Sequence, residues 1–117
     1  ARSAPTRVEE CVWQGEQVSP TAAVQSISGG GDLAKFAGAG YKTLPGGSYR
    51  SQWWALHNEN GAYSARGIHG QAIYIDRVAE RVIVRFATFA ISFNAAIDPT
   101  SLPAYQAVAD YLIKKSK

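Results

Sequence analysis

Apolar and polar positions change their period near residue 48 of this chain. Ahead of that point Ala23, Val24 and Ile27 recur at helical spacing. Ser19-Pro20 marks the start of that helix. Serine caps free N–H groups, and proline at the first helical position gives up only a donor that would be unpaired. Gly29-Gly30-Gly31 stops it. Asp32 then caps a second short helix carrying Leu33, Phe36 and Ala37, closed by Gly38 and Gly40. Residues 1–7 carry no period and read as a loose lead-in, and 8–18 are short and mixed around a turn at Gly15.

Past the turn Leu44-Pro45-Gly46-Gly47 the signal becomes that of strands. Residues 49–56 are aromatic-rich and too short for a helix, and Asn60-Gly61 favours the positive φ of a tight hairpin. Residues 63–66 read as the returning strand, interrupted by Gly67-Ile68-His69-Gly70. Residues 72–75 and 82–87 form two further strands joined through 76–81. Val82, Ile83 and Val84 run apolar without alternation, as in a strand covered on both faces. Asp98-Pro99-Thr100-Ser101 caps a last helix, in which Leu102, Tyr105, Val108, Ala109 and Leu112 share one face.

That order predicts an α+β domain: an antiparallel sheet of three to four strands with a C-terminal helix packed on one face. Residues 1–48 are a helical lead-in, 49–88 the strands and 100–115 the closing helix of a single unit, 1–117. No repeat or low-complexity tract is present.

Composition narrows the function classes. The length, 117 residues, suits one domain, and 46% hydrophobic against 18% charged residues argues against disorder. No apolar run reaches the roughly 18 residues of a membrane span, and no signal peptide is visible at the N-terminus. A lone cysteine, Cys11, excludes an internal disulfide and leans the compartment towards the cytoplasm without fixing it. Its neighbours do not activate a thiol. The net charge of +3 divides as −1 over residues 1–40 and +4 over 41–117, three of those from Lys114, Lys115 and Lys117. The body is therefore near neutral, without the continuous basic footprint that nucleic acid needs. Methionine is absent, which fits either a trimmed initiator or a piece of a longer protein.

Few residues offer chemistry. His57 and His69 do not match a metal-site spacing, and Asp76, Glu80, Asp98 and Asp110 sit at turns and caps, where carboxylates are ordinary. No cofactor is implied. Glycines around Ile68-His69 mark either a plain β-bulge or a kink that turns a backbone N–H towards a bound carbonyl oxygen. Trp53 and Trp54, adjacent on a strand, point to opposite faces. One indole can therefore pack in the core while the other lines a cleft.

Longer strings carry a resemblance. Tyr49-Arg50-Ser51-Gln52-Trp53-Trp54, His57-Asn58-Glu59, Ala65-Arg66-Gly67-Ile68-His69-Gly70-Gln71, Tyr74-Ile75-Asp76 and Asp98-Pro99-Thr100 are among them. Together they resemble the serine β-lactamase-related hydrolases, in the branch of nylon-oligomer (6-aminohexanoate-dimer) hydrolases and related esterases. Gln14-Gly15-Glu16 and Gly30-Gly31-Asp32 also fit. The likeness runs over roughly residues 8–113.

The resemblance implies the C-terminal part of a β-lactamase/transpeptidase-like fold. In that family a Ser-x-x-Lys helix supplies nucleophile and base, a Tyr-x-Asn element assists proton transfer, and an edge-strand Lys-Thr-Gly completes the site. The third element falls on Ala65-Arg66-Gly67. Ile68 would then supply a backbone oxyanion N–H beside Gly67, His69 and Gly70 would complete the kink, and Trp54 would line the substrate cleft. Ala65 in place of lysine disfavours a β-lactam carboxylate and favours a small amide or ester substrate. No serine here is followed three residues on by lysine, and Ser92-Phe93-Asn94 lies after the edge strand rather than before it. Three readings stay open. The chain is a C-terminal segment inactive without a complementary N-terminal segment, a non-catalytic truncated domain, or an independent small binding protein. An open apolar face and strand edge imply self-association or a complementary segment.

Overall fold

A computed structural model describes residues 12–116 of the chain, so Cys11 lies outside the described residues. The elements run β1 (Val12–Trp13), β2 (Glu16–Gln17), α1 (Thr21–Gly29), α2 (Leu33–Gly38), β3 (Ser48–Arg50), β4 (Trp53–Ala55), β5 (Tyr63–Arg66), β6 (Ala72–Asp76), β7 (Arg81–Arg85) and α3 (Asp98–Lys115). Strands β3 to β7 form one five-stranded antiparallel meander in chain order, and β1 pairs β2 in a separate ribbon. The α+β class is as the residue pattern predicts.

Two features of the sheet depart from expectation. Residues 49–56 are not one strand but the inner halves of a hairpin, with Tyr49 opposite Trp54 and Arg50 opposite Trp53. Its turn is Ser51-Gln52, at φ 50° and 70°. Both residues adopt the left-handed region that two-residue hairpins need, and neither is the Asn, Asp or Gly that advertises such a turn. The second departure is β7. Val82 and Val84 are 59% and 53% exposed, so this strand is not covered on both faces. It is the sheet's edge, with one apolar face open.

Register decides which residues share a face. Trp54, Ser64, Tyr74 and Ile83 stand in one row across the sheet. Helix α3 covers this face: the Tyr74 and Tyr105 rings lie 5.0 Å apart, and Asn58 donates to Gln106 at 3.0 Å. On the opposite face Ser48, Ala55 and Tyr63 are buried. There the chain after α1 closes in, its Gly31 N–H donating to Ser48 Oγ at 3.0 Å. That hydroxyl, itself fully buried, also meets Nε2 of the exposed His57 at 2.7 Å.

The helix starts are partly as expected. Asp32 caps α2 by accepting from the Lys35 N–H at 2.9 Å. In α1, however, Pro20 occupies the cap position itself, and no side chain caps the helix. At α3 the residue expected to cap is inside the first turn and buried; Asp98 has a different partner, described below. Of the predicted α3 stripe, Ala109 is buried but Val108 is 47% exposed. Asp76 is also no ordinary turn carboxylate. Only 1% exposed, it accepts from Asn60 Nδ2 at 2.8 Å and from the Ala79 N–H at 2.9 Å, closing the β6–β7 turn.

Burial pushes the Tyr74 phenol above its ordinary 10.0; the Asn58 amide bonded to it opposes the rise, and Asp76 and Asp110 add to it. The folded state thus holds this proton to higher pH than the unfolded chain does. Its contribution to stability is complete below the unfolded value and is lost as pH rises through the folded one. Urea midpoints measured from neutral to strongly alkaline pH should fall above pH 10.0, and fall less steeply in Tyr74→Phe.

Candidate functional site

Strand β5 ends at Arg66, and the next five residues make a turn that closes on itself. Gly67 N–H donates to the Gln71 carbonyl at 2.9 Å, and Gln71 N–H returns to the Ile68 carbonyl at 3.3 Å. Between them Ile68–Gly70 forms a single 3₁₀ turn, not a plain β-bulge. His69 sits at φ 56° and Gly70 at φ 92°. A non-glycine residue in that region is strained and persists only where its surroundings hold it.

The surroundings are the segment after β7. His69 Nδ1 meets the Phe89 carbonyl at 2.7 Å, His69 N–H donates to the Ser92 carbonyl at 3.1 Å, and Phe89 N–H donates back to the His69 carbonyl at 3.1 Å. Gln71 bridges to the Ala87 carbonyl through its amide. Asn94 Nδ2 donates to the Gly67 carbonyl at 2.8 Å, and Arg85 Nε to the Gly70 carbonyl at 2.6 Å. Against these bonds the Ile68 N–H has no acceptor among the described residues. Its side chain is 66% exposed.

A cavity of about 310 Å³ opens beside this turn. Trp54, Arg66, Gly67 and Ile68 form one wall; Tyr41, Thr43 and Leu44 form the second; and 92–95 with Asp98 form the third. Trp54 is fixed by an aromatic cluster, with ring centroids 4.8 Å from Tyr49, 5.1 Å from Tyr41 and 6.0 Å from Phe36. Trp53 faces the other way and packs on Tyr63 at 5.3 Å. His69 and Gly70 are not on the cavity wall. They hold the turn from behind, His69 by its bonds and Gly70 by lying under the Phe89 ring.

The wall has a polar element that pattern reading missed. Arg66 forms a salt bridge with Asp98, joining the end of β5 to the first turn of α3. The side chains are only 11% and 5% exposed. The second Asp98 oxygen accepts from Thr43 Oγ1 at 2.6 Å, and the guanidinium carbon lies 5.5 Å from the Trp54 ring centre. Tyr41, Thr43, Leu44 and the run Ser92-Phe93-Asn94 were likewise not legible as cavity residues. The last carried a signal, since its Ser-x-Asn pattern is polar in an otherwise apolar stretch. Its role is to build the wall and clamp Gly67. Among the described residues no three His, Cys, Asp or Glu side chains gather as a metal site would require. None of the described helices is long and apolar enough to cross a membrane.

No family model matches the chain. It is 37% identical over 67 residues to a 6-aminohexanoate-dimer hydrolase of Paenarthrobacter ureafaciens, covering 56% of this chain and 17% of that protein. In fold it matches a putative 6-aminohexanoate-dimer hydrolase from Bacillus anthracis with a TM-score of 0.72 and 29% identity, over 92% of this chain and 26% of that one. Sequence and fold together therefore relate it to a segment of these hydrolases. It spans about a sixth to a quarter of their length.

The turn is open to test. An added Cβ at Gly70 would enter the Phe89 ring, and its φ is one that alanine rarely adopts. Gly70→Ala should cost roughly 2 kcal/mol or more in urea unfolding. It should also shift the Ile68 amide in a ¹H–¹⁵N spectrum, while leaving Asn60 and Gly61, at the far hairpin, unmoved.

Proposed function

We propose that this chain is the C-terminal part of a β-lactamase-related serine hydrolase acting on amide or ester bonds. It contributes one oxyanion-hole strand and one wall of the substrate cleft. The observation that carries the reading is the Ile68 N–H, unbonded among the described residues, on a braced turn beside a cavity lined by Trp54, Arg66 and Gly67.

When a nucleophile attacks a carbonyl, the π electrons move onto oxygen, and a fixed N–H there stabilises the new charge without having to reorganise. Ile68 supplies that donor. Gly67 leaves room for the Gln71 side chain across the turn, while His69 and Gly70 hold the turn's shape. The attacking hydroxyl and its base must come from elsewhere, because no Ser-x-x-Lys occurs in this sequence. A donor with no nucleophile beside it has no reaction to accelerate. The Ser48–His57 contact does not replace it, since the Ser48 hydroxyl is 0% exposed and bonded to the Gly31 N–H.

The open apolar surface supports the same reading. Ile73, Val82, Val84 and Phe86 are 39–88% exposed on or beside the β6–β7 edge. Such a face is where the further chain of a longer hydrolase, a second copy or a complementary segment would pack.

Alone, the purified chain should not be labelled by a fluorophosphonate probe and should not hydrolyse a chromogenic ester. Labelling of any serine in it contradicts the proposal. Mixed with an N-terminal segment of a relative that carries Ser-x-x-Lys, it should gain hydrolysis. Gly67→Pro should abolish that gain, because proline removes the N–H bonded to Gln71; Cys11→Ser should not. Size-exclusion chromatography with light scattering should show a dimer or larger at tens of micromolar, and a clean monomer there defeats the claim about the open face.

A further inference from the structure

A second cavity, of about 260 Å³, lies between α3 and strand β6 and shares Thr43 and Leu44 with the first. An apolar space of about 150 Å³ already holds a benzene ring, so a six-membered ring fits here. Leu44, Leu56, Leu102 and Pro103 give it apolar walls. One corner is polar and is made by Asn58, Tyr74 and Gln106.

The hydrogen bonds of that corner leave one group over. Asn58 Nδ2 donates to the Tyr74 oxygen at 3.2 Å and to Gln106 Oε1 at 3.0 Å, while Asn58 Oδ1 accepts from the Ala62 N–H at 2.9 Å. Gln106 Nε2 donates to Asp110 Oδ1 at 2.8 Å. The Tyr74 oxygen therefore accepts, but its own hydrogen has no acceptor among the described residues. Tyr74 is only 1% exposed, and a buried donor left unpaired is costly. Burial keeps this phenol protonated, and Asp76 and Asp110 add to the effect. The same two carboxylates disfavour an anion at the corner.

We propose that this cavity binds a small uncharged molecule, an apolar ring or short chain with one carbonyl oxygen that accepts from the Tyr74 hydroxyl. The leucines and Pro103 take the apolar body, and the single placed donor orients it. Neither the Ile68 N–H nor a nucleophile takes part, so failed complementation leaves this proposal standing, and its own failure leaves the hydrolase reading untouched.

The test uses the chain as it is, with three probes: cyclohexanone, methylenecyclohexane, which has the same shape without an acceptor, and cyclohexanecarboxylate. Binding is followed at the Leu56 and Leu102 methyl groups in ¹H–¹³C spectra. Cyclohexanone should shift both residues and saturate, and the carboxylate should need at least about tenfold higher concentration. Tyr74→Phe should weaken cyclohexanone about fivefold or more and change methylenecyclohexane by less than about twofold, since only the ketone loses a hydrogen bond. Leu102→Trp fills the space and should abolish binding of both neutral probes. The proposal is overturned if cyclohexanone moves neither leucine, if the carboxylate binds as tightly, or if Tyr74→Phe alters both neutral probes alike. Should Tyr74→Phe not fold, unchanged cyclohexanone binding by a folded Leu102→Trp overturns it as well.

Discussion

A buried guanidinium needs a counter-charge, and in this chain Asp98 meets that need for Arg66. The two lie 32 positions apart in sequence. Their bond fixes where β5 ends relative to where α3 begins, and through Thr43 it also sets the 41–44 loop. All three walls of the cavity meet at this pair. Removing one member leaves the other charged and buried, a loss of roughly 3–5 kcal/mol in typical cases. The cavity's shape therefore depends on this one pair.

The turn after β5 is held by a different set of forces. Its strained residue, His69, is pinned by main-chain bonds to the segment after β7, and Gly70 leaves room for Phe89 above it. The histidine between glycines has its Nδ1, its N–H and its carbonyl all engaged by the segment after β7. At this turn the group without an acceptor among the described residues is the Ile68 backbone N–H, which no residue code reveals. A backbone donor is suited to charge that appears only during reaction, because its direction is set by the fold and not by a rotamer.

How much the sequence disclosed follows from which forces act locally. The α2 cap at Asp32, the bounds of β5 and the sidedness of the two tryptophans depend on near neighbours, and all were legible. Asn60-Gly61 marked a turn, but the turn bond runs from Gly61 N–H to the Asn58 carbonyl within a longer β4–β5 loop, and of the two only Gly61 is at positive φ. The Ser51-Gln52 turn was not, since tertiary pairing of β3 with β4 forces two ordinary residues into left-handed geometry. Asp98 looked like a helix cap because position alone says so; its partner is far away in the chain. Val82 and Val84 looked doubly covered because a run of apolar residues cannot tell a central strand from an edge whose cover is absent.

Helix α3 is divided in its duties. Asp98 grips β5, and the Ser101 hydroxyl accepts from Arg85 at 2.6 Å, the same arginine that holds the Gly70 carbonyl. Beyond Ala109 the side-chain bonds recorded are internal to the helix or its end: Gln106 to Asp110, Lys115 to Tyr111, and Ser116 to the Ile113 carbonyl. Evolutionary drift should therefore fall unevenly along this one element, with its opening turn frozen by geometry. Its distal end is held only through the half-buried Leu112 and Ile113 and is freer to change.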